Sequence, residues 1–186
     1  MQIVPIHSEM NAIPVPLPVT LRERLATQGL EAPEFLAGVG NSALLNQTLL
    51  GVVASRSCPG EVFLQVLDRV PEWIGAGKVI VGGFHSPLEQ QILRSALRRC
   101  GRVVKVLARG MAYFKPKREE REAMLAGNML TVTAFAPTMR RTCRAAALSR
   151  NRFVLAITEE RCVPWVDPEG PLGEMAGETL RIDERR

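Results

Sequence analysis

The sequence predicts an α/β fold, with a mostly parallel sheet held between helices on both faces. Three observations predict it. Apolar runs of strand length recur at Leu49–Ala54, Lys78–Val81 and Val103–Leu107. Between them, apolar residues repeat at three- and four-residue spacing, the period of a helix with one buried face. The 186 residues are 46% hydrophobic, which suits one domain with a real core. Strands that alternate with helix-length patterns build parallel sheets.

Residues 1–32 are expected to be an extended Pro-rich arm and a short helix. Four prolines, His7 and Glu9 interrupt the first twenty residues, so no signal-peptide pattern is present and the default compartment is the cytoplasm. Leu21 to Leu36 is loosely helical with a break at Pro33, and Gly38 to Gly40 is expected to turn. Asn41 to Asn46 leads into the first strand, Leu49–Ala54. A polar turn follows, Ser55-Arg56-Ser57-Cys58, and Pro59 suits the first turn of a helix, where its missing N–H costs nothing. Val62, Phe63, Val66, Leu67, Val70 and Ile74 then form a buried stripe that ends near Gly75-Ala76-Gly77.

The second strand runs into Gly82-Gly83-Phe84-His85-Ser86-Pro87. The paired glycines let a neighbour or a ligand approach the backbone closely. Ser86 and Pro87 open the next helix, with Glu89 in its first turn and Leu88, Ile92, Leu93, Ala96 and Leu97 inward. After the third strand, the loop from Gly110 to Pro116 holds the only tyrosine, Tyr113, beside Phe114. Glu119, Glu120 and Glu122 mark the start of a short helix ending at Gly127. Met129–Phe135 is the fourth strand. A stripe from Met139 through Cys143, Ala146 and Arg150 to Val154 is the last helix, which puts Arg150 at its inner edge. Cys162–Val166 is the fifth strand, and residues 177–186 are a loose charged tail.

Charge and cysteine usage narrow the function classes. Net charge is +5, with basic groups at 94–105, 115–121 and 140–152, which favours an anionic partner. No apolar run approaches a membrane span. Cys58, Cys100, Cys143 and Cys162 are scattered, and two histidines add no cluster, so no metal, no cofactor and no disulfide is expected. The strand-turn-helix corner at Ser55, Arg56 and Ser57 is the candidate anion site: helix N-terminal N–H groups and an arginine would meet a phosphate there. Corners of this kind also occur without a ligand.

These segments together resemble the DNA-processing protein A (DprA/Smf) family, over residues 33–176. Gly40-Asn41-Ser42-Ala43-Leu44-Leu45 is similar to the family's lead-in, and Val52-Val53-Ala54-Ser55-Arg56 to its V-G-S-R strand and turn. Gly82 to Glu89 stands in the place of S-G-x-A-R-G-x-D, and Ser95-Ala96-Leu97 in that of G-A-L. Arg150-Asn151-Arg152 matches R-N-R, and Gly170-Pro171-Leu172 stands where G-S-L stands. The resemblance implies a Rossmann-like three-layer sandwich that binds single-stranded DNA, forms a homodimer and helps load a RecA-type recombinase in recombination and natural transformation. The chain departs from the pattern: Ser86 and Pro87 replace the motif's arginine and glycine, and Glu89 its aspartate. From its 186 residues, the chain is expected to lack the family's helical N-terminal domain and C-terminal winged helix.

Two functions follow. The first is non-enzymatic binding of single-stranded DNA, with Ser55, Arg56, Ser57, Gly82, Gly83, Arg150, Asn151 and Arg152 on phosphates and Tyr113 or Phe114 stacking on bases. The second is a nucleotide-binding or nucleotide-cleaving domain related to the phosphoribohydrolases, with Glu89 or Glu174 as the acid. Residues 168–174 faintly echo the P-G-G-x-G-T-x-x-E motif of those enzymes. A scaffold that binds only protein is the third reading.

Overall fold

A computed structural model describes residues 12–170 and 172–173. Pro171, Glu174, the tail and the first eleven residues of the arm lie outside the described residues. One seven-stranded sheet has the order β1-β2-β6-β5-β4-β3-β7. Its parallel part comprises β3 (Leu49–Val52), β4 (Val79–Gly82), β5 (Arg102–Val106), β6 (Met129–Thr133) and β7 (Glu160–Cys162). Most of these strands are buried on both faces, which is why they read as unbroken apolar runs.

Helices α2 (Gly60–Gly75) and α3 (Pro87–Arg98) cover one face through Val66, Val70, Trp73, Leu88 and Ile92. Helix α4 (Arg118–Leu125) packs Met124 near Met129 and Leu107. The opposite face is covered by α1 (Val19–Thr27), through Leu21 and Leu25, and α5 (Arg144–Ile157), through Val154, Leu155 and Ile157. This is the expected three-layer arrangement.

Several expectations are corrected. Gly38 to Gly40 is not a turn but the end of β2 (Phe35–Gly40). It pairs antiparallel with β6 and with β1 (Ile13–Pro16), which lies within the Pro-rich arm. Gly38 is needed there because a Cβ would strike the Val15 side chain across the pair. Pro14 and Pro16 are tolerated because β1 is the edge strand. Helix α1 stops at Thr27, well before Leu36. The lead-in is a 3-10 turn, Ser42–Asn46, whose first residues are capped by Asn41 Oδ1 accepting from the Ala43 N–H. Helix α5 begins at Arg144 rather than Met139, and β7 ends at Cys162 where the fifth strand was expected to begin.

The end of α3 carries a strained residue. The Gly101 N–H donates to Ala96 O and the Cys100 N–H to Leu97 O, a closing pattern that puts Cys100 in the left-handed region at φ 54°. Glycine occupies that conformation without the Cβ clash. Cys100→Gly is therefore expected to stabilise the protein by about 1 kcal/mol, measured by urea unfolding. A loss of stability would show that the thiol packs usefully there.

Candidate nucleic-acid interface

The chain reverses its direction of travel across the sheet at β3. Helix α2 leaves β3 over one face towards β4, whereas α5 crosses the other face to deliver β7 on the far side of β3. Such a switch point leaves a crevice beyond the carboxyl ends of the strands. A cleft of about 550 Å³ lies there. Its walls come from the loop after β3 (Ser55, Arg56), the loop after β4 (His85, Ser86), the first turns of α5 (Cys143, Arg144, Ala147) and the loop after β7 (Asp167, Gly170).

Glu89 holds the two strand-end loops together. It is 3% exposed, and its carboxyl oxygens accept from the Ala54 N–H and the His85 N–H, both at 2.9 Å. Ser86 caps α3 by accepting from the Glu89 N–H at 3.3 Å. Burial pushes the Glu89 carboxyl above its ordinary range, against the two backbone N–H groups and the nearby Arg150 charge. Phe84, between the loops, is itself left-handed at φ 53°, which belongs to the tight path from Gly83 to His85.

Arg150 reaches the site from α5 and is 4% exposed. Its Nε donates to Asn151 Oδ1 at 2.8 Å and its Nη1 to Val106 O at 3.3 Å. The guanidinium packs against Gly83, where a Cβ would coincide with it. Gly82 is likewise closed, by Val52 O and the Phe84 ring. Both glycines thus serve close approach by the chain's own atoms, and neither lines the cleft.

The remaining candidates separate. Ser55, Arg56, Arg150 and Asn151 line the cleft, and Arg56 is exposed at its mouth. Ser55 is engaged internally: its N–H donates to Trp165 O at 3.2 Å and its Oγ accepts from the Asp167 N–H at 2.9 Å. Ser57 Oγ donates to Asp167 Oδ2 at 3.0 Å, outside the cleft proper. Arg152 is exposed on α5 and does not line it. Tyr113 is 43% exposed with the Arg140 guanidinium 4.8 Å from its ring centroid, and Phe114 is partly buried with Lys105 Nζ at 5.7 Å. Neither ring lines the cleft.

The electrostatics of the cleft are read most directly at His85. Its pKa is lowered to about 4 by partial burial, then by the Arg150, Lys105, Arg109 and Arg56 charges in turn. Arg56 and Arg150 line the cleft with His85, whereas Lys105 and Arg109 act on the ring from outside that lining, and His85 is neutral at pH 7. Lys105 is partly neutralised by Glu120 at 2.6 Å. The contributions of Arg109 and Asp167 were not singled out by the sequence, and His85 was expected to be an ordinary loop residue. Arg109 stands just past β5, at the carboxyl end of the sheet where ligands of such folds bind.

The comparisons with known proteins fit this geometry. The family model for DNA recombination-mediator protein A matches residues 18–164. DNA processing protein A from Helicobacter pylori, whose structural study concerns its single-stranded DNA binding mode, superposes with a TM-score of 0.73 at 17% identity, covering 91% of this chain and 76% of that one. DNA processing protein A (DprA) from Streptococcus pneumoniae gives 0.68 at 22% identity, covering 92% of this chain and 60% of that one. None of the curated proteins matches the chain significantly. The two structures share its Rossmann-like fold, and with the family model running from α1 to just past β7, the chain belongs to the DNA recombination-mediator protein A family.

Proposed function

We propose that this chain binds single-stranded DNA through its phosphates, without chemistry, as part of DNA processing or recombination. The observation that carries the reading is that Arg56 and Arg150 line one cleft at the carboxyl ends of the strands, beside a His85 that also feels the charges of Lys105 and Arg109. The N–H groups of Ala54, Ser55 and His85 already have partners within the chain. The grip therefore falls to arginine side chains and to the first turn of α2, whose N–H groups have no partner inside a helix. Such contacts confer affinity and little sequence preference. A homodimer and a RecA-type recombinase as partner belong to the same proposal and are drawn from family membership.

The nucleotide-cleaving alternative needs a carboxyl group that can reach a substrate. Glu89 has both oxygens engaged by backbone N–H groups and is buried, which favours a fastening role over an acid's. Glu174 lies outside the described residues.

Arg56→Ala tests the reading because Arg56 is exposed at the cleft mouth. Fluorescence anisotropy with a labelled oligothymidine is expected to show weaker binding, with a salt slope flattened by about 0.7 and an unchanged melting temperature. Equal loss is expected on strands of other sequence. Unchanged affinity for Arg56→Ala, or a wild type that is stabilised by a mononucleotide but ignores DNA, would refute the proposal.

A further inference from the structure

Beside the cleft, on the other side of Arg56, runs an open groove of about 530 Å³. Arg56 and Asp167 line both spaces, so the two meet along those side chains. The rest of the groove is mostly apolar and includes Phe63, Trp165, Pro59 and Pro87. Trp165 is the notable member. It is only partly buried, and among the described residues it belongs to none of the three buried apolar clusters. Its neighbours Val163 and Val166 pack on one of them. A large aromatic ring left out of the core is unusual where burial would reward it.

The backbone that bears this ring is nevertheless fixed. Trp165 O accepts from the Ser55 N–H, the Asp167 N–H donates to Ser55 Oγ, and Ser57 Oγ donates to Asp167. The loop after β7 is thus laced to the turn after β3, and Trp165 is held at a set place beside Arg56. The groove's lining carries one charge of each sign, Arg56 and Asp167. A second phosphate gains little in such a space, whereas an uncharged ring gains a flat aromatic surface.

We propose that this groove is a nucleobase subsite in which a base of the bound strand stacks on Trp165 while the adjoining phosphate sits on Arg56. The inference rests on the single-stranded DNA reading above and adds a place for the base that Tyr113 and Phe114, away from the cleft, do not supply. Stacking tolerates every base, which suits a strand bound without sequence preference.

The test compares an oligothymidine with an abasic strand of equal length, which keeps the phosphates and lacks the bases. The chain has two tryptophans, and the other, Trp73, is 4% exposed in the core under Arg69. Quenching of emission on binding therefore reports on Trp165. The expected result is quenching by the oligothymidine and none by the abasic strand. Trp165→Ala should weaken oligothymidine binding about ten-fold and leave abasic binding unchanged, with Trp165→Phe close to wild type. If the two strands bind and quench alike, or Trp165→Ala weakens both equally with a lower melting temperature, the subsite is overturned and phosphate binding stands. If Trp165→Ala instead splits a dimer in light scattering while the preference for bases persists, the groove belongs to a second copy and the subsite is overturned. A wild type that binds neither strand overturns this inference and the DNA reading together.

Discussion

Glu89→Ala is expected to destabilise the protein by about 3 kcal/mol or more. The change removes the acceptor shared by the Ala54 N–H, buried beyond β3, and the His85 N–H, part-buried beyond β4. Each N–H left without a partner costs about 1–3 kcal/mol. It also removes the negative charge closest to the buried Arg150 guanidinium, whose own pKa is lowered by burial and raised by Glu89. An arginine stranded in that position adds to the loss. Glu89→Gln keeps the size and one acceptor oxygen but turns an NH₂ group towards one of the two N–H donors. Its expected cost is smaller than that of alanine. Urea unfolding of both variants measures the two values. A loss below about 1 kcal/mol for alanine, no more than the centre of the range for single point changes, would mean that the loops after β3 and β4 hold their course without this carboxyl.

The same residue shows what was legible in the sequence. Glu89 stands three residues after Ser86, at the start of an apolar stripe, and that spacing alone marks a helix start. Its second task, joining Ala54 to His85, spans 35 residues and leaves no local trace. The parallel strands and their helices were legible for a related reason: each is a local pattern, an unbroken apolar run or a three-four stripe. The antiparallel edge was not. Phe35–Gly40 contains two glycines and Ile13–Pro16 two prolines, residues that locally signal turns and arms. They form strands because β6 offers a partner edge and because Gly38 makes room for Val15. That is tertiary context overriding propensity.

The candidate site divides in the same way. Ser55 and Arg56 were placed by a strand-turn-helix corner, and Arg150 by its phase on a helix stripe. Trp165 and Asp167 reach the corner from a loop 110 residues further along, as the Ser57–Asp167 hydrogen bond shows. Nothing in the spacing of either segment announces that meeting. The start of α5 was misplaced because Met139 falls in phase with the helix stripe, whereas the chain between 136 and 143 is held as a loop, with Gly110 N–H donating to Met139 O. Helix phase fixes which face a residue takes and does not fix where the helix begins.

Gly83→Ala is expected to destabilise the protein, and Arg150→Ala is expected to relieve most of that loss. At Gly83 the nearest atoms to an added methyl are those of the Arg150 guanidinium, which occupies the methyl's place. The side chain would have to leave Val106 O and Asn151 and move away from the Glu89 carboxyl. Overpacking in a buried site costs about 1–3 kcal/mol, and the lost polar contacts of a buried cation add to it. Arg150→Ala alone should also lower the melting temperature, because Glu89 is then left without its neighbouring charge. In the double variant the methyl enters space that the arginine has vacated. The loss for the pair should therefore fall short of the sum by about 1 kcal/mol or more, the signature of two groups in direct contact. Additive losses would mean that Gly83 is required for its backbone path beside left-handed Phe84 rather than for the guanidinium it carries. DNA binding measured on the same variants separates fold from grip. If Arg150 acts by shaping the cleft, Gly83→Ala should weaken binding as much as Arg150→Ala does, with Arg56 untouched in both.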